Sequence, residues 1–292
     1  MKIEDKLLAT AGKVEHFLGQ LLTTDDKDLL SLYAAMRYSA LAGGKRVRPF
    51  LTLETAKLFG GEPSRAIYFA VALEMVHTYS LIHDDLPCMD DDDMRRGKPT
   101  NHKVYGEATA VLAGDALLTG AFEILCAADL PSDIIRAAVH VLAEAAGSDG
   151  MIGGQIMDLA AENAEIPFDT LVKLHSLKTG AMITAAVRLG LLAAGVTEEE
   201  HQVSLCTYAR YIGLAFQIVD DVLDRTGTEE ELGKTVGSDE KSGKTTFLHF
   251  LGADEAMEYA ERLTESAKAA IAGYPQHETL AELADYLLKR KK

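Results

Sequence analysis

Six aspartates and two arginines fall within residues 83–97, HDDLPCMDDDDMRRG. Carboxylates about 4 Å apart repel each other by roughly 4 kcal/mol at an effective dielectric near 20, so this density calls for a bound cation or full solvation. A second acidic group, Asp220, Asp221 and Asp224, occurs in AFQIVDDVLD. On a helix, Asp220 and Asp224 would share one face, with Gln217 about one turn before Asp220.

These two acidic groups have the donor chemistry of a magnesium site. Carboxylates without histidine or thiolate partners favour Mg²⁺ over zinc, and Mg²⁺ typically takes one or two carboxylates plus substrate phosphate oxygens. Pro87 should deform the helix after Asp84 and Asp85, so Asp90 need not follow helical geometry. One acidic run alone could be a solvated surface. Two runs, each after an apolar helix, favour a clamp that holds a diphosphate through several ions.

Basic residues lie where they could bind phosphate. In AGGKRVRP, Lys45 and Arg48 follow two glycines, where backbone can approach an anion closely, and Arg95 and Arg96 follow the first acidic group. Arginine forks onto phosphate and lysine supplies a point charge. Taken alone, AGGKRVRP would more often be an ordinary loop at a helix end.

The segment GSDEKSGKTT resembles a nucleotide-binding P-loop but does not fit one. Five residues rather than four separate Gly237 from Gly243, and no strand precedes them. We interpret Lys234 and Lys244 as cations that could close over a bound phosphate as the long polar loop 226–244 becomes ordered. A mobile, solvated loop is the alternative.

Around these motifs the pattern is helical throughout, which predicts a single all-α domain spanning 1–292. Only seven prolines occur among 292 residues, and runs of alternating β-branched residues are scarce. Ser64 is a candidate N-cap for the helix that leads into Asp84. Further helices are predicted over about 107–128, 132–147, 168–194, 198–224 and 244–272.

Composition restricts the partners and the compartment. With 45 acidic against 29 basic residues, the net charge of −16 argues against nucleic acid. Three widely spaced cysteines, Cys88, Cys126 and Cys206, indicate reduced thiols and a cytoplasmic protein. We expect no secretory signal, and no membrane span, since every long apolar stretch is interrupted by charge.

Five motifs in order, GGKRVRP, LIHDDLPCMDDDDMRRGKPT, GGQIMDL, KTGA and FQIVDDVLD, resemble those of the trans-isoprenyl diphosphate synthases. The resemblance covers about residues 30–250 and is greatest to the bacterial farnesyl diphosphate synthase group. It implies antiparallel helices around a central cavity, a homodimer, and three Mg²⁺ ions. It also implies head-to-tail condensation of an allylic diphosphate with isopentenyl diphosphate.

The resemblance assigns roles to individual positions. The expected metal ligands are Asp84, Asp85, Asp90, Asp220, Asp221 and Asp224. The expected allylic diphosphate ligands are Arg95, Lys178, Lys234 and Lys244. The expected isopentenyl diphosphate ligands are Gly44, Lys45, Arg48, His77 and Arg96. Thr179 and Gln217, with the Lys178 carbonyl, would face the C1 end of the allylic chain.

The last of these roles has a physical reason. Ionisation leaves an allylic cation, which oriented dipoles stabilise without supplying a nucleophile that would trap it. No side chain stands out as a general base, and the resemblance assigns proton removal to the leaving diphosphate. Gln155 and Asp158 share a helix face and could orient their neighbours, or form a plain buried polar pair. His83 is interpreted as structural.

Product length is predicted from HTYSLIHDD. Ser80 lies one turn before Asp84, and Tyr79 lies roughly 7.5 Å before it along the helix axis. By spacing alone, Tyr79 could be only a core aromatic. The resemblance implies that a ring here is a floor for the growing chain, which predicts a C15 product, whereas a small residue would allow C20.

Other functions remain as alternatives. A geranylgeranyl diphosphate synthase is the nearest alternative. A terpene cyclase has no use for an isopentenyl site, and a silent prenyltransferase subunit would be expected to lose an acidic motif or the lysines.

Overall fold

The computed structural model describes residues 1–162, 164–226 and 244–290. Within these ranges nearly every element is a helix, which confirms the predicted all-α fold class. The α-helices are α1 Ile3–Leu21, α2 Leu30–Ala40, α3 Val47–Leu58, α4 Pro63–Asp84, α5 Asn101–Tyr105, α6 Glu107–Cys126, α7 Ser132–Ala146, α8 Met151–Ala161, α9 Phe168–His175, α10 Ala181–Ala193, α11 Glu199–Thr226, α12 Ala253–Ile271 and α13 Glu278–Lys289.

Three short elements interrupt this pattern. Met94–Arg95 (β1) and Lys98–Pro99 (β2) pair antiparallel as a hairpin that the sequence did not predict. A π-helical turn, Ser176–Gly180, joins α9 to α10. A 3₁₀ turn, Phe247–His249, precedes α12. The hairpin and the π turn both carry residues of the expected site.

Helix α4 runs through the main core. It packs against α3, α6 and α10, and its apolar residues, such as Phe69, Val76 and Ile82, are almost fully buried. A helix that is apolar around most of its circumference is stable only when surrounded by protein. The predicted N-cap at Ser64 is wrong. Glu62 is the N-cap and Pro63 opens the helix, because the fixed φ of proline suits the first helical position.

Helices α11 and α12 pack along each other around a second apolar cluster. Ile218 and Val219 of α11 meet Ala256 and Ala260 of α12, with Phe247 fully buried beside them. The predicted helix over 244–272 is wrong at its start, because α12 begins only at Ala253. The apolar period there includes Phe247, which belongs to the separate 3₁₀ turn.

Two helical stretches are long and apolar enough to cross a membrane by length and composition: α6 and Phe168–Ala193. The apolar window of the second is 67% buried inside the protein, and that of α6 is 39% buried. This corrects the expectation that charge excludes every such stretch, although a core helix of a soluble protein passes the same test. The single domain 1–292 stays a prediction.

Candidate active site

The first acidic group begins where α4 ends. Asp84 is the last residue of the helix, and the Asp90 N–H donates to the Asp84 carbonyl oxygen at 2.9 Å. The chain turns back in the segment containing Pro87, as its position predicts. Burial raises the pKa of Asp84 from 3.8 to about 6, although nearby Lys178 lowers it. A buried carboxylate that is costly to ionise is stabilised by an approaching cation.

The hairpin brings Arg95 back onto this group. Its Nε donates to Asp85 Oδ1 at 2.6 Å, and its Nη2 lies 3.4 Å from Asp92 Oδ2. Asp85 is only 3% exposed, and burial raises its pKa while Arg95 opposes that shift. Arg95 thus lies beside the expected metal ligands, as an allylic diphosphate site requires. The role of Asp85 as a ligand stays a prediction.

Helix α11 presents the second acidic group. The Asp220 carboxylate accepts from Arg290 at 2.9 Å, and Asp221 Oδ2 accepts from the Phe247 N–H at 2.8 Å. Asp224 is also buried. Asp221 therefore anchors the 3₁₀ turn, a structural role that the sequence did not reveal because the turn lies 26 residues away.

Asp158 of α8 joins the predicted lysines. Its Oδ2 accepts from Lys178 Nζ at 2.7 Å and from Lys244 Nζ at 3.0 Å. Lys244 Nζ also lies 3.8 Å from Asp90 Oδ1. These two ammonium groups hold the pKa of Asp158 below its usual value despite burial. Asp158 thus orients its neighbours, rather than forming only a buried polar pair with Gln155.

A buried histidine of α9 lies near Asp158 of α8 and Asp220 of α11. The His175 ring stacks on Phe247, with ring centroids 5.3 Å apart. Burial lowers its pKa to about 4, and both Asp158 and Asp220 are close enough to oppose that shift. His175 is therefore neutral at physiological pH. The sequence gave no sign of this contact, which packs α9 against the 3₁₀ turn that Asp221 of α11 holds through the Phe247 N–H.

The π turn carries the residues expected to face the allylic cation. Thr179 is 9% exposed within it, and Gln217 is partly buried on α11. A Cβ at Gly154 would lie 2.2 Å from the Lys178 backbone nitrogen, so only glycine allows α8 to approach the turn this closely. Isolated π turns in helices frequently mark functional sites.

The basic residues predicted to bind isopentenyl diphosphate share one cavity of about 180 Å³. Its lining includes every predicted member of that set: Gly44, Lys45, Arg48, His77 and Arg96. Arg48 Nη1 lies 3.3 Å from His77 Nε2. Burial and the surrounding arginines hold the pKa of His77 well below 6.5, and burial lowers the pKa of Arg48 and Arg96. Such a concentration of buried positive charge favours an anion.

A buried ion pair supports this cavity. Arg46, at φ 50°, donates through Nη1 to Glu74 of α4, and through Nη2 to the Ala40 carbonyl oxygen at 2.6 Å. Both side chains are almost fully buried. The pair anchors the loop before α3 on α4, and Arg46 neutralises the negative charge of Glu74. The sequence did not reveal this role of Arg46, because its partner Glu74 lies 28 residues away.

Arg290 also lines this cavity, a position that the sequence did not reveal. Its guanidinium lies 3.6 Å from the Phe216 ring centroid. Because the same group contacts Asp220, it links the basic cavity to the second acidic wall.

Tyr79 is buried at 5% exposure, with its ring edge-on to His83 at 5.6 Å between centroids. Burial, and then Asp84, raise its pKa to about 12. The Ser80 hydroxyl donates to the His77 carbonyl oxygen at 3.0 Å. His83 Nε2 lies 3.0 Å from the Val111 carbonyl oxygen of α6, consistent with a structural role.

Lys234 and most of the loop 226–244 lie outside the described residues, so their predicted role as a lid stays a prediction. Of the described residues, the expected ligands suit Mg²⁺ by donor type, since all are carboxylates on two walls. Burial raises the pKa of Asp84, and a divalent ion bound there would stabilise its charged form.

Comparison with known proteins agrees with this geometry. A family model described as polyprenyl synthetase matches residues 30–283. The chloroplastic geranylgeranyl pyrophosphate synthase of Capsicum annuum is 49% identical over 265 residues, covering 89% of this chain and 71% of that protein. A dimethylallyltranstransferase of Fischerella ambigua is 46% identical over 292 residues, covering 99% and 84%. The crystal structure of an FPP/GFPP synthase from Zymomonas mobilis has a TM-score of 0.88 at 38% identity, covering 98% of both chains.

A helical fold with carboxylates on two walls and a cationic cavity beside them is the architecture of an enzyme that handles diphosphates. The chain belongs to the polyprenyl synthetase family, and its activity is that of a trans-prenyltransferase. The family is Mg²⁺-dependent and uses isopentenyl diphosphate with an allylic diphosphate. The predicted resemblance is thereby confirmed at the level of the family.

Proposed function

We propose that the protein condenses isopentenyl diphosphate with dimethylallyl or geranyl diphosphate to give (2E,6E)-farnesyl diphosphate and diphosphate. The main support for a C15 product is the burial of Tyr79, which lies five residues before Asp84 on α4. A growing chain that leaves the acidic group along α4 meets this ring after roughly 7.5 Å. Ser80, the neighbouring position, offers only a small side chain.

The allylic diphosphate occupies the region between the two acidic walls. Lys178, Lys244 and Arg95 supply cations to the departing diphosphate, and Asp158 keeps both ammonium groups in place. Three Mg²⁺ ions, when bound to the six predicted aspartates, add Lewis-acid stabilisation of that leaving group. Thr179 and Gln217, with the Lys178 carbonyl, direct their dipoles at the allylic cation.

Isopentenyl diphosphate occupies the basic cavity. Arg48, Arg96 and Lys45 bind its diphosphate directly, while His77 accepts from Arg48 and holds that side chain in place. Its double bond then attacks the allylic C1, and the new intermediate loses a proton to the released diphosphate. No side chain has to act as the base.

Geranylgeranyl diphosphate is the second candidate product. It is favoured by the names of the relatives, because the Capsicum annuum protein is described as a geranylgeranyl pyrophosphate synthase. The Zymomonas mobilis structure, in contrast, is described as an FPP/GFPP synthase. The printed activities of relatives therefore differ in chain length, and Tyr79 is the local feature that favours C15.

Mass spectrometry of the products tests the proposal. Wild type with isopentenyl and dimethylallyl diphosphates and Mg²⁺ should stop at C15, and Tyr79→Ala should extend to C20 or beyond while condensation continues. Tyr33→Ala, on α2 and outside the site, is the control and should still stop at C15. A C20 product from wild type would refute the farnesyl assignment.

The same assay separates the remaining alternatives. Release of diphosphate without chain extension would indicate a terpene cyclase, and no turnover would indicate a silent subunit. The basic cavity argues against a cyclase, which needs no second diphosphate site.

The protein is further proposed to be a cytoplasmic homodimer. Helix α6 exposes Val111 and Leu112 at 38% and 59%, although its mean composition is apolar enough for a core helix. An apolar helix face open to water is typical of a subunit interface. Light scattering should find Leu112→Glu monomeric, and Leu8→Glu, at a leucine of α1 that is 74% exposed, dimeric. A dimeric Leu112→Glu variant would contradict this interface.

A further inference from the structure

A second group of possible metal ligands lies beside the acidic clamp and differs from it in chemistry. Asp91, Asp93 and His102 each contribute one possible ligand atom, and these three atoms lie within 4.8 Å of one another. The two aspartates are exposed, and the Asp93 carboxylate is 72% exposed. His102, near the start of α5, is only 6% exposed. The sequence did not reveal this group, because eight residues separate Asp93 from His102.

The hydrogen bonds around His102 determine which ring nitrogen carries the proton. The Thr100 hydroxyl donates its one hydrogen to the Asp92 carbonyl oxygen at 2.7 Å. Its contact of 3.2 Å with His102 Nδ1 must therefore be one in which Thr100 accepts and Nδ1–H donates. In the neutral ring this leaves the lone pair on Nε2. Metal-binding histidines are commonly oriented by such a bond from the other nitrogen.

Nε2 is buried and has no hydrogen-bond partner among the described residues. A buried nitrogen lone pair without a donor is costly, so an unfilled acceptor of this kind indicates a missing ligand. A water molecule could supply a hydrogen, but the His102 ring has a nitrogen within 4.8 Å of carboxylate oxygens of Asp91 and Asp93, which favour a positively charged partner.

The local net charge is also negative. Asp91 and Asp93 carry two negative charges, against one positive charge from Lys103, whose Nζ lies 2.6 Å from Asp93 Oδ1. The second oxygen of Asp93 and the carboxylate of Asp91 can still act as ligands. One imidazole with two carboxylates favours a borderline divalent ion such as Zn²⁺, Co²⁺ or Mn²⁺ over Mg²⁺.

We propose that Asp91, Asp93 and His102 form a second divalent-cation site, separate from the Mg²⁺ clamp and selective for ions that accept nitrogen. The ion would tie the loop after Asp90 to α5. It would thereby stiffen the β1–β2 hairpin that carries Arg95 and Arg96.

Cobalt(II) binding to the full-length protein tests this proposal independently of turnover. Excess Mg²⁺ and inorganic diphosphate are added first to occupy the clamp. Wild type should then retain one Co²⁺ per chain and show one hyperfine-shifted, exchangeable imidazole N–H in its proton NMR spectrum. That resonance is the Nδ1–H of His102, and His102→Gln should remove it.

The surface variant Asp91→Asn/Asp93→Asn keeps the test valid if His102→Gln does not fold. Asparagine tolerates the left-handed φ of 50° at Asp91, so the backbone should be unchanged, and Co²⁺ affinity should fall at least tenfold. Asp92→Asn, in the same loop but outside the group, should bind Co²⁺ like wild type. Failure of wild type to retain Co²⁺ under excess Mg²⁺, or equal retention by the double variant, would overturn the proposal.

Discussion

The Nη2 atom of Arg290 lies 2.9 Å from Oδ1 of Asp220, so an arginine near the C-terminus occupies an oxygen expected to bind Mg²⁺. Its side chain is 6% exposed and lies over the Phe216 ring, while also lining the basic cavity. Metal at Asp220 and arginine at Asp220 are mutually exclusive at that oxygen. Under the proposed function, Arg290 would therefore contact both the metal-binding wall and the isopentenyl diphosphate cavity.

Arg290→Gln removes this competing cation. We expect Mg²⁺ to bind severalfold more tightly in the presence of inorganic diphosphate, measured by calorimetry, because Asp220 no longer exchanges one cation for another. We also expect the KM for isopentenyl diphosphate to rise, because the cavity loses positive charge. Lys289→Gln, the exposed neighbour, is the control. Unchanged Mg²⁺ affinity in Arg290→Gln would show that the contact does not compete with metal.

Asp84→Asn tests the electrostatic cost of the first acidic group. The folded-state pKa of about 6 exceeds the model-peptide value of 3.8, so the folded protein binds the proton more tightly than the unfolded chain. Ionised Asp84 therefore lowers stability, by at most about 3 kcal/mol, and the loss develops as pH rises from about 4 to 6. In EDTA, Asp84→Asn should raise Tm at pH 7.5 and leave it unchanged near pH 4.

Asp129→Asn, at a fully exposed site of the loop after α6, is the control and should show no such pH dependence. Addition of Mg²⁺ and diphosphate should stabilise wild type more than Asp84→Asn. A Tm for Asp84→Asn that is equal to wild type at pH 7.5 would mean that the carboxylate is already compensated without metal.

Asp158→Asn tests whether one carboxylate positions two lysines. The neutral amide cannot hold both ammonium groups, and a hydrogen bond to a charged group is worth about 1.5–3 kcal/mol. We expect the KM for the allylic diphosphate to rise about 10- to 100-fold, with a smaller effect on isopentenyl diphosphate. Asp149→Asn, exposed just before α8, should match wild type. Equal changes for both substrates would argue for general loss of structure.

Gly154→Ala tests the close approach of α8 to the π turn. The added methyl would lie 2.5 Å from the Lys178 Cα, so the turn must move and take Lys178 and Thr179 with it. We expect kcat to fall at least tenfold, as small displacements of positioned groups are costly, together with a lower Tm. Gly12→Ala in α1, where the methyl meets nothing within 4 Å, should retain activity and gain stability. Wild-type kinetics for Gly154→Ala would contradict the role of this packing.

The sequence alone was sufficient for the helical class and the family, and it supplied the candidate ligands that the predictions above test. Helical periodicity is a local property, and motifs such as DDLPCMD and GGKRVRP keep their chemistry in short segments. Lys45, Arg48, His77 and Arg96, which the resemblance grouped together, line one cavity, and their role as isopentenyl diphosphate ligands stays a prediction.

The pairings of these residues required the tertiary structure. Asp158 binds Lys178 and Lys244, and Asp221 accepts a hydrogen bond from the Phe247 N–H. Arg46 forms an ion pair with Glu74, and Arg290 with Asp220. The partners are 20 to 86 residues apart in the sequence. Local pattern cannot distinguish a lysine that faces substrate from one that faces a carboxylate, since both need the same residue type. Only packing decides which charges are neutralised by protein and which are left for a ligand, because that depends on the three-dimensional distance between distant segments.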